Sequence, residues 1–441
     1  MKKYDAVIIG FGKGGKTLAS YLGDKGLNVA LIEKSNTMYG GTCINIGCIP
    51  SKILVENKNH DYSEVIEKKN NIISNLRQKN FDKLNNNPNV TIYNGVGSFV
   101  SNHEIKITYS EKEETIYGDK IFINTGSESI IPDIPGINKV KNIYTSTTLM
   151  NLKVLPKRLV IVGAGYIGME FASIYNNFGA KVTLLESKED IILRDEPEVR
   201  EEVKNIFQER NIKIRTEIKV IKFDQNKDEV HIHCLNKEGE IEILKSDAVL
   251  LATGRKPNLK SLNLENAGID FDEKGVIVDK YLKTNIDNIY ALGDVTGGLQ
   301  FTYLSLDDFR IVKSQLEEEG NRSRDNRGAV AYSVFISPTM SKVGMTEKEA
   351  LENGYEVKTK IIKASTIPRA IILEEERGIL KVIIDSKTDL ILGATLLCAE
   401  SSEIINFITS AINEKKPYHY LRDFIYTHPT MIESFNDLFS L

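Results

Sequence analysis

Apolar residues fall into short runs punctuated by glycine, and these runs predict the element order. Residues 4–9, a short apolar run, and 28–32 read as strands, with a helix from Lys16 to about Lys25 between them. The same strand, turn, helix, strand order returns over 159–162, 167–176 and 181–185. Residues 62–84 carry Val65, Ile72, Ile73 and Leu76 at helical spacing, which predicts a helix with those four inward and its lysines and asparagines in solvent. Strands are predicted near 90–93, 105–108, 120–123, 213–215, 229–234 and 240–244, and a charged helix over 196–210. Pro132 and Pro135-Gly136 mark a linker, and the polar stretch 317–327 marks a second boundary. After it come strands at 334–336, 380–384 and 390–397 and a helix over 401–412.

The glycine turns add chemistry to this pattern. Gly10, Gly12 and Gly15 form GxGxxG between a strand and a helix, and Glu33 closes the next strand; Gly163, Gly165, Gly168 and Glu186 repeat the arrangement. In a dinucleotide fold the first glycine allows the tight turn, the second lets backbone approach a pyrophosphate, the third lets the helix pack on the strand, and the acid holds a ribose hydroxyl. Two such units argue for two dinucleotides on one chain. Gly10 to Thr17 also fits GxxxxGK[ST], the phosphate loop of nucleotide triphosphatases. Glu33, and the absence of a second metal-binding aspartate strand, favour the dinucleotide.

Cys43 and Cys48, with four residues between them, lie at a predicted helix start, close enough for a reducible disulfide, and the helix N-terminus is expected to lower a thiol pKa there. A structural disulfide or two inert core thiols are the alternatives. His231 and His233 alternate to one strand face and Cys234 to the other, so these three are not expected to converge on a metal. Only four cysteines occur, which fits a reducing compartment. The chain runs from Met1-Lys2-Lys3 straight into a strand and holds no apolar run near the ~20 residues of a membrane span, so cytoplasm is expected. A net charge of -4 gives no reason to expect nucleic acid or an anionic membrane as partner.

The stretch GGTCINIGCIPSK, residues 40–52, resembles the active-site segment of the flavin-dependent pyridine nucleotide–disulfide oxidoreductases, the family of dihydrolipoamide dehydrogenase, glutathione reductase and mercuric reductase. The resemblance implies an α/β chain with two Rossmann-like dinucleotide-binding domains and a C-terminal α+β dimerisation domain. The FAD domain would take 1–150 and 271–328, the NAD(P)H domain 151–270 and the dimerisation domain 329–441. FAD would then meet Gly10, Gly12, Gly15, Glu33, Lys34, Gly41, Thr42, Lys52, Thr125, Gly126, Gly293 and Asp294. NADH, with NADPH possible, would meet Gly163, Gly165, Tyr166, Ile167, Gly168, Glu186 and Gly254. Glu186 would repel a 2′-phosphate, which favours NADH. Tyr166 would cover the nicotinamide side of the flavin, and Glu170 would pair with Lys52 beside it.

By the same resemblance, electrons pass from NADH through FAD to the Cys43–Cys48 disulfide. Cys48 is the cysteine nearer the flavin, and Cys43 is the outward thiolate. The segment Thr427-His428-Pro429-Thr430-Met431-Ile432-Glu433 matches HPTxxE, in which the histidine is the general acid/base and the glutamate orients it. In the family this pair comes from the other subunit, so a homodimer with a shared active site is implied. The chain ends without the C-terminal cysteine pair of mercuric reductases, and Tyr426 stands where dihydrolipoamide dehydrogenases have a second histidine. CINIGC, the segments 302–310, 367–370 and 427–431, and the length most resemble the reactive-chlorine-resistance flavoproteins and hypothiocyanous acid reductases, some also described as copper(II) reductases. A small oxidant, hypothiocyanous acid (HOSCN), is the implied substrate. The alternatives are a dihydrolipoamide dehydrogenase and a Cu(II) or Hg(II) reductase, and no dedicated metal site is expected.

Overall fold

In the computed structural model, which describes residues 1–110, 112–317 and 320–441, Ala6, Val7, Ile8 and Ile9 of the first strand are all buried, as a strand covered on both faces requires. Glu318 and Glu319 of the expected 317–327 boundary lie outside the described residues. The chain divides into two compact units, one of Met1–Ile131, Ser146–Lys153 and Gly254–Arg327, the other of Pro132–Thr145, Val154–Thr253 and Gly328–Leu441.

The first unit begins with β1 (Lys2–Ile9), α1 (Lys13–Asp24), β2 (Val29–Glu33), α2 (Gly41–Asn45), α3 (Cys48–Glu56) and α4 (Tyr62–Asn85). Then come β3 (Val90–Asn94), β4 (Val96–Phe99), β5 (Glu104–Thr108) and β6 (Glu113–Ile123). The sheet runs β3-β2-β1-β6-β5-β4, with the strand Ile289–Ala291 added beside the end of β6. β3, β2, β1 and β6 are parallel, whereas β5 and β4 turn back antiparallel. Val7 and Ile9 pack with Ile121 and Ile123 on one face, and Ala6 and Ile8 pack with Leu18 and Leu22 of α1 on the other.

Two sequence expectations need correction here. α1 starts at Lys13 rather than Lys16, because extended Gly12 already serves as its N-cap. On α4, Val65 and Ile73 are buried, but the stripe continues through Ile66 and Lys69 while Ile72 and Leu76 are half-buried. Lys69, expected in solvent, is 1 % exposed, and its ammonium donates to the Met150 carbonyl. Its long stem follows the apolar face while its head finds a carbonyl, so it lies at an i, i+3, i+4, i+7 position.

The second unit holds a five-stranded parallel sheet in the order Lys213–Arg215, Lys181–Leu185, Arg158–Val162, Ala248–Leu251, Ile143–Thr145. A three-stranded antiparallel sheet, Lys219–Asn226, Glu229–Leu235 and Ile241–Ser246, accompanies it. There His231 and His233 both meet Asp224, while Cys234 is buried. From Tyr332 onward the sheet is antiparallel and five-stranded, with the helix Ser401–Asn413 on its apolar face. Parallel sheets with crossover helices followed by an antiparallel sheet make the α/β and α+β layers expected from the sequence. Among the described residues no helix is long and apolar enough to cross a membrane.

Candidate functional site

The two cysteines sit on either side of a helix break rather than on one continuous helix. α2 stops at Asn45, Ile46 and Gly47 turn, and α3 starts at Cys48. A Cβ on Gly47 would come within 3.1 Å of the Thr42 carbonyl oxygen, so the turn is closely packed against α2. The two cysteines are not joined as a disulfide; Cys43 is half-buried, Cys48 is exposed, and their thiols hydrogen-bond to each other. The Thr302 hydroxyl lies 3.6 Å from Cys48 Sγ and also bonds Cys43. Here the expected lowering of Cys43 is reversed. The hydrogen bond with Cys48 and then burial push its pKa up, while Thr302 and the Lys16 ammonium pull it down. One turn of helix is too little field to outweigh an adjacent thiol.

The surroundings fix α2. Buried Asn45 donates to the carbonyls of Tyr39 at 3.0 Å and Gly41 at 2.9 Å, and accepts from Arg77 Nε of α4 at 2.8 Å. Gly41 has φ +76, and a Cβ on it would sit 2.6 Å from Gly12 Cα, so the redox helix begins directly on the glycine turn. Thr42 follows it, half-buried. Lys52, one turn beyond Cys48 on α3, donates to Ser51 Oγ at 3.3 Å.

At that turn the Glu33 carboxylate accepts from Phe11 N at 3.1 Å and Ser35 N at 3.2 Å, and burial raises its pKa. Asn124, at the end of β6, accepts from Gly15 N at 2.8 Å and donates to the Leu292 carbonyl at 2.6 Å. Gly14 N donates to Ser305 Oγ at 3.1 Å. Gly10, Glu33, Lys34 and Thr125 line one cleft with Asn258, whose N–H donates to the Gly126 carbonyl at 2.9 Å. The Gly254 carbonyl accepts from Ile130 N at 2.9 Å nearby in the chain fold. Asp294 accepts from Ser127 Oγ at 2.9 Å, its pKa raised by burial, and Gly293 N donates to Asp308 Oδ2 at 2.8 Å. A glycine turn opening a helix whose N-cap, Gly12, has no side chain, an acid at the next strand end and a cleft lined by the turn fit a dinucleotide such as FAD.

The second turn repeats this geometry. Glu186 accepts from Ala164 N at 3.0 Å and Lys188 N at 3.1 Å. A Cβ on Gly168 would lie 2.0 Å from the Gly163 carbonyl oxygen, whereas one on Gly165 would meet nothing within 4 Å. Ile167 lies half-buried in the first turn of the following helix, Tyr166–Asn177, whose start has no side-chain cap, and these residues fit a second dinucleotide. Tyr166 is tethered by its hydroxyl, 2.9 Å from Asp195 Oδ2 and 2.7 Å from the Tyr332 hydroxyl. Glu170 accepts from Phe335 N at 2.8 Å.

His428 and Glu433 meet as the spacing implied. Nδ1 lies 2.8 Å from Glu433 Oε2, Thr430 N holds the other carboxylate oxygen at 3.2 Å, and the imidazole is 71 % exposed. Asn124, Ser305 and Asp308 were not assigned these roles from sequence, because their partners lie 15 to 291 positions away. A buried asparagine closing an apolar strand was the available signal for Asn124.

Comparison with known proteins agrees with this geometry. Residues 4–308 match the model for pyridine nucleotide-disulphide oxidoreductase, and 330–439 match that family's dimerisation domain. The chain is 48 % identical to the probable pyridine nucleotide-disulfide oxidoreductase RclA of Escherichia coli (strain K12), over 100 % of both chains. It is 32 % identical to a mercuric reductase of Staphylococcus aureus, over 98 % of this chain and 81 % of that one. The structure of the Cu(II) complex of HOCl-induced flavoprotein disulfide reductase RclA from Escherichia coli matches with a TM-score of 0.97 at 48 % identity, covering 100 % of this chain and 99 % of that one. The chain belongs to the pyridine nucleotide-disulphide oxidoreductases, a family of flavoprotein enzymes that use FAD and NAD(P)H.

Proposed function

We propose that the enzyme is an NADH-dependent reductase of a small electrophilic oxidant, hypothiocyanous acid, acting through Cys43 and Cys48. The observation that carries this reading is the dithiol itself. Two thiols are hydrogen-bonded across a helix break, one half-buried and one exposed, with Thr302 touching both. Such a pair can give up two electrons as it closes to a disulfide. The full-length relative named as HOCl-induced supports an oxidant of this class.

Bound FAD supplies the transfer of two electrons from reduced nicotinamide to the disulfide. In this reading 1–150 and 271–328 bind FAD, 151–270 binds NADH and 329–441 carries the dimer contact. The Glu186 carboxylate disfavours a 2′-phosphate. Cys43 Sγ attacks the sulfur of HOSCN, and His428 of the partner subunit protonates the departing hydroxide while the partner subunit's Glu433 holds the imidazole. The S–SCN bond then breaks as Cys48 Sγ attacks Cys43 Sγ, releasing thiocyanate and closing the disulfide. The sum is NADH + HOSCN → NAD⁺ + SCN⁻ + H₂O.

The Cu(II) bound in the solved relative favours a second reading, with the metal ion as the oxidant. One dithiol would then reduce two Cu(II) to Cu(I). The test is NADH consumption by the purified yellow protein with HOSCN, lipoamide, oxidised glutathione and Cu(II) offered separately, beside Cys43→Ser. Fast turnover of HOSCN alone, lost in the variant, supports the first reading. Preference for Cu(II) selects the second, and preference for lipoamide refutes both.

A further inference from the structure

One face of α4 carries the stretch that leads into the redox helix. Arg77, Asn80 and Phe81 lie at i, i+3 and i+4 on α4, so their side chains leave it together. The Phe81 ring packs on Tyr39, with centroids 4.8 Å apart. Asn80 stands beside Gly40, where a Cβ would come within 3.5 Å of Asn80 Cγ. Arg77 Nε donates at 2.8 Å to Oδ1 of Asn45, the last residue of α2. Three neighbours on one helix thus meet residues 39, 40 and 45, which bracket Cys43. We propose that Arg77, acting through Asn45, is a positioning residue that sets the reduction potential of the Cys43–Cys48 pair.

The proposal rests on the redox reading of Cys43 and Cys48. α2 has five residues and its N-cap, Gly40, has no side chain, so its own hydrogen bonds are too few to hold it in place. Asn45 ties it down. Its side chain is buried, and both Nδ2 hydrogens are used, on the carbonyls of Tyr39 at 3.0 Å and Gly41 at 2.9 Å. Reversing the amide would set its oxygen against two carbonyls and its NH2 against the Arg77 N–H, so its partners fix its orientation. Arg77 therefore fastens the end of α2 to α4 through an amide that cannot turn. On the other side of the break α3 is seated separately, by buried Pro50, Ser51 and Leu54. Closing a disulfide needs both sulfurs at one separation, whereas two thiols tolerate drift. With α2 held, closure has little left to order; with α2 loose, closure must also order it, and the equilibrium moves toward the dithiol.

The experiment equilibrates holoenzyme with set ratios of reduced and oxidised dithiothreitol at neutral pH, quenches with an alkylating agent, and quantifies the alkylated Cys43–Cys48 peptide by mass spectrometry. As the enzyme's S–S bond opens to two thiols, the two thiols of dithiothreitol close to its cyclic disulfide, and two electrons and two protons pass to the protein. Arg77→Met should move this equilibrium about tenfold toward the dithiol, which is ~30 mV for a two-electron couple. Arg77→Gln places an amide nitrogen where Nε stands and should stay within about twofold of the wild type. Arg77→Leu is carried alongside in case the methionine variant fails to retain flavin. A shift under about twofold, or one toward the disulfide, in a flavin-loaded Arg77→Met or Arg77→Leu protein overturns the assignment, as does an Arg77→Gln protein that behaves like Arg77→Met. If the wild-type pair forms no disulfide at any ratio, the redox reading falls and the role of Arg77 falls with it.

Discussion

Asn124→Leu removes one buried side chain and leaves two backbone groups without partners. Asn124 is 5 % exposed; it accepts the Gly15 N–H at 2.8 Å and donates to the Leu292 carbonyl at 2.6 Å. Leucine is close in size, so the loss is polar rather than steric. Each orphaned buried group costs about 1–3 kcal/mol, which gives about 2–6 kcal/mol for the pair. Gly15 lies in the first turn of α1, whose N–H groups have no intrahelical acceptor, so helix geometry cannot recover the bond. A cofactor-bound protein with two units has no single unfolding free energy, and the useful readout is therefore the temperature at which flavin fluorescence appears. At roughly 2–4 °C per kcal/mol, that midpoint should fall by at least ~4 °C. Asn124→Asp should fall as well, since a carboxylate satisfies Gly15 N but faces the Leu292 carbonyl without a proton to donate. A shift within ~1 °C for Asn124→Leu, at unchanged flavin content, would refute the account of how the first turn is held.

Three further outcomes test other parts of the site. Glu433→Ala frees the His428 ring and should slow oxidant turnover about 10–100-fold, while stopped-flow bleaching of the flavin by NADH stays at its wild-type rate; equal losses in both steps would count against the assigned role. Burial holds Lys69 at about 8 in the folded protein, against an ordinary 10.5. Between those values the unfolded state binds the extra proton, so Lys69 makes stability rise from pH 8 to pH 10, and Lys69→Met should flatten that rise in thermal melts; parallel profiles would contradict it. Gly168→Ala, whose Cβ meets the Gly163 carbonyl oxygen at 2.0 Å, should destabilise the second unit, whereas Gly165→Ala has open space and should raise KM for NADH without lowering the melting temperature.

The element order was legible in the sequence because the first and repeated units are short apolar strands cut by glycines, and a strand buried on both faces leaves little ambiguity. Gly10 and Gly163 could be placed at turns for the same reason. Side chains whose partners lie far along the chain were not legible. Asn124 and Ser305 look like ordinary polar residues until folding brings them to Gly15 and Gly14. Lys69 was misread because a lysine at a helical stripe position ordinarily signals solvent, and only the fold supplies the Met150 carbonyl. The helix break at Gly47 was missed since CINIGC has helical apolar spacing on both sides of it, and the direction of the Cys43 shift was missed because it depends on the neighbouring thiol.

The two glycine turns share one grammar and differ where function requires it. In each, the acid ending the second strand accepts an N–H from the turn, Phe11 to Glu33 and Ala164 to Glu186. The first turn is then clamped from elsewhere: Asn124 and Ser305 take two helix-start N–H groups, and the backbone at Gly41 closes on Gly12. At the second, Gly165 is exposed and, among the described residues, none fills the space beside it. A flavin retained through many cycles needs a turn that cannot loosen without breaking buried hydrogen bonds. A nicotinamide that exchanges in every cycle needs a helix start that is reached from solvent. Loss of the Asn124 clamp should therefore appear as released flavin, and crowding at Gly165 as weakened NADH binding, even though both residues belong to nearly the same local sequence pattern.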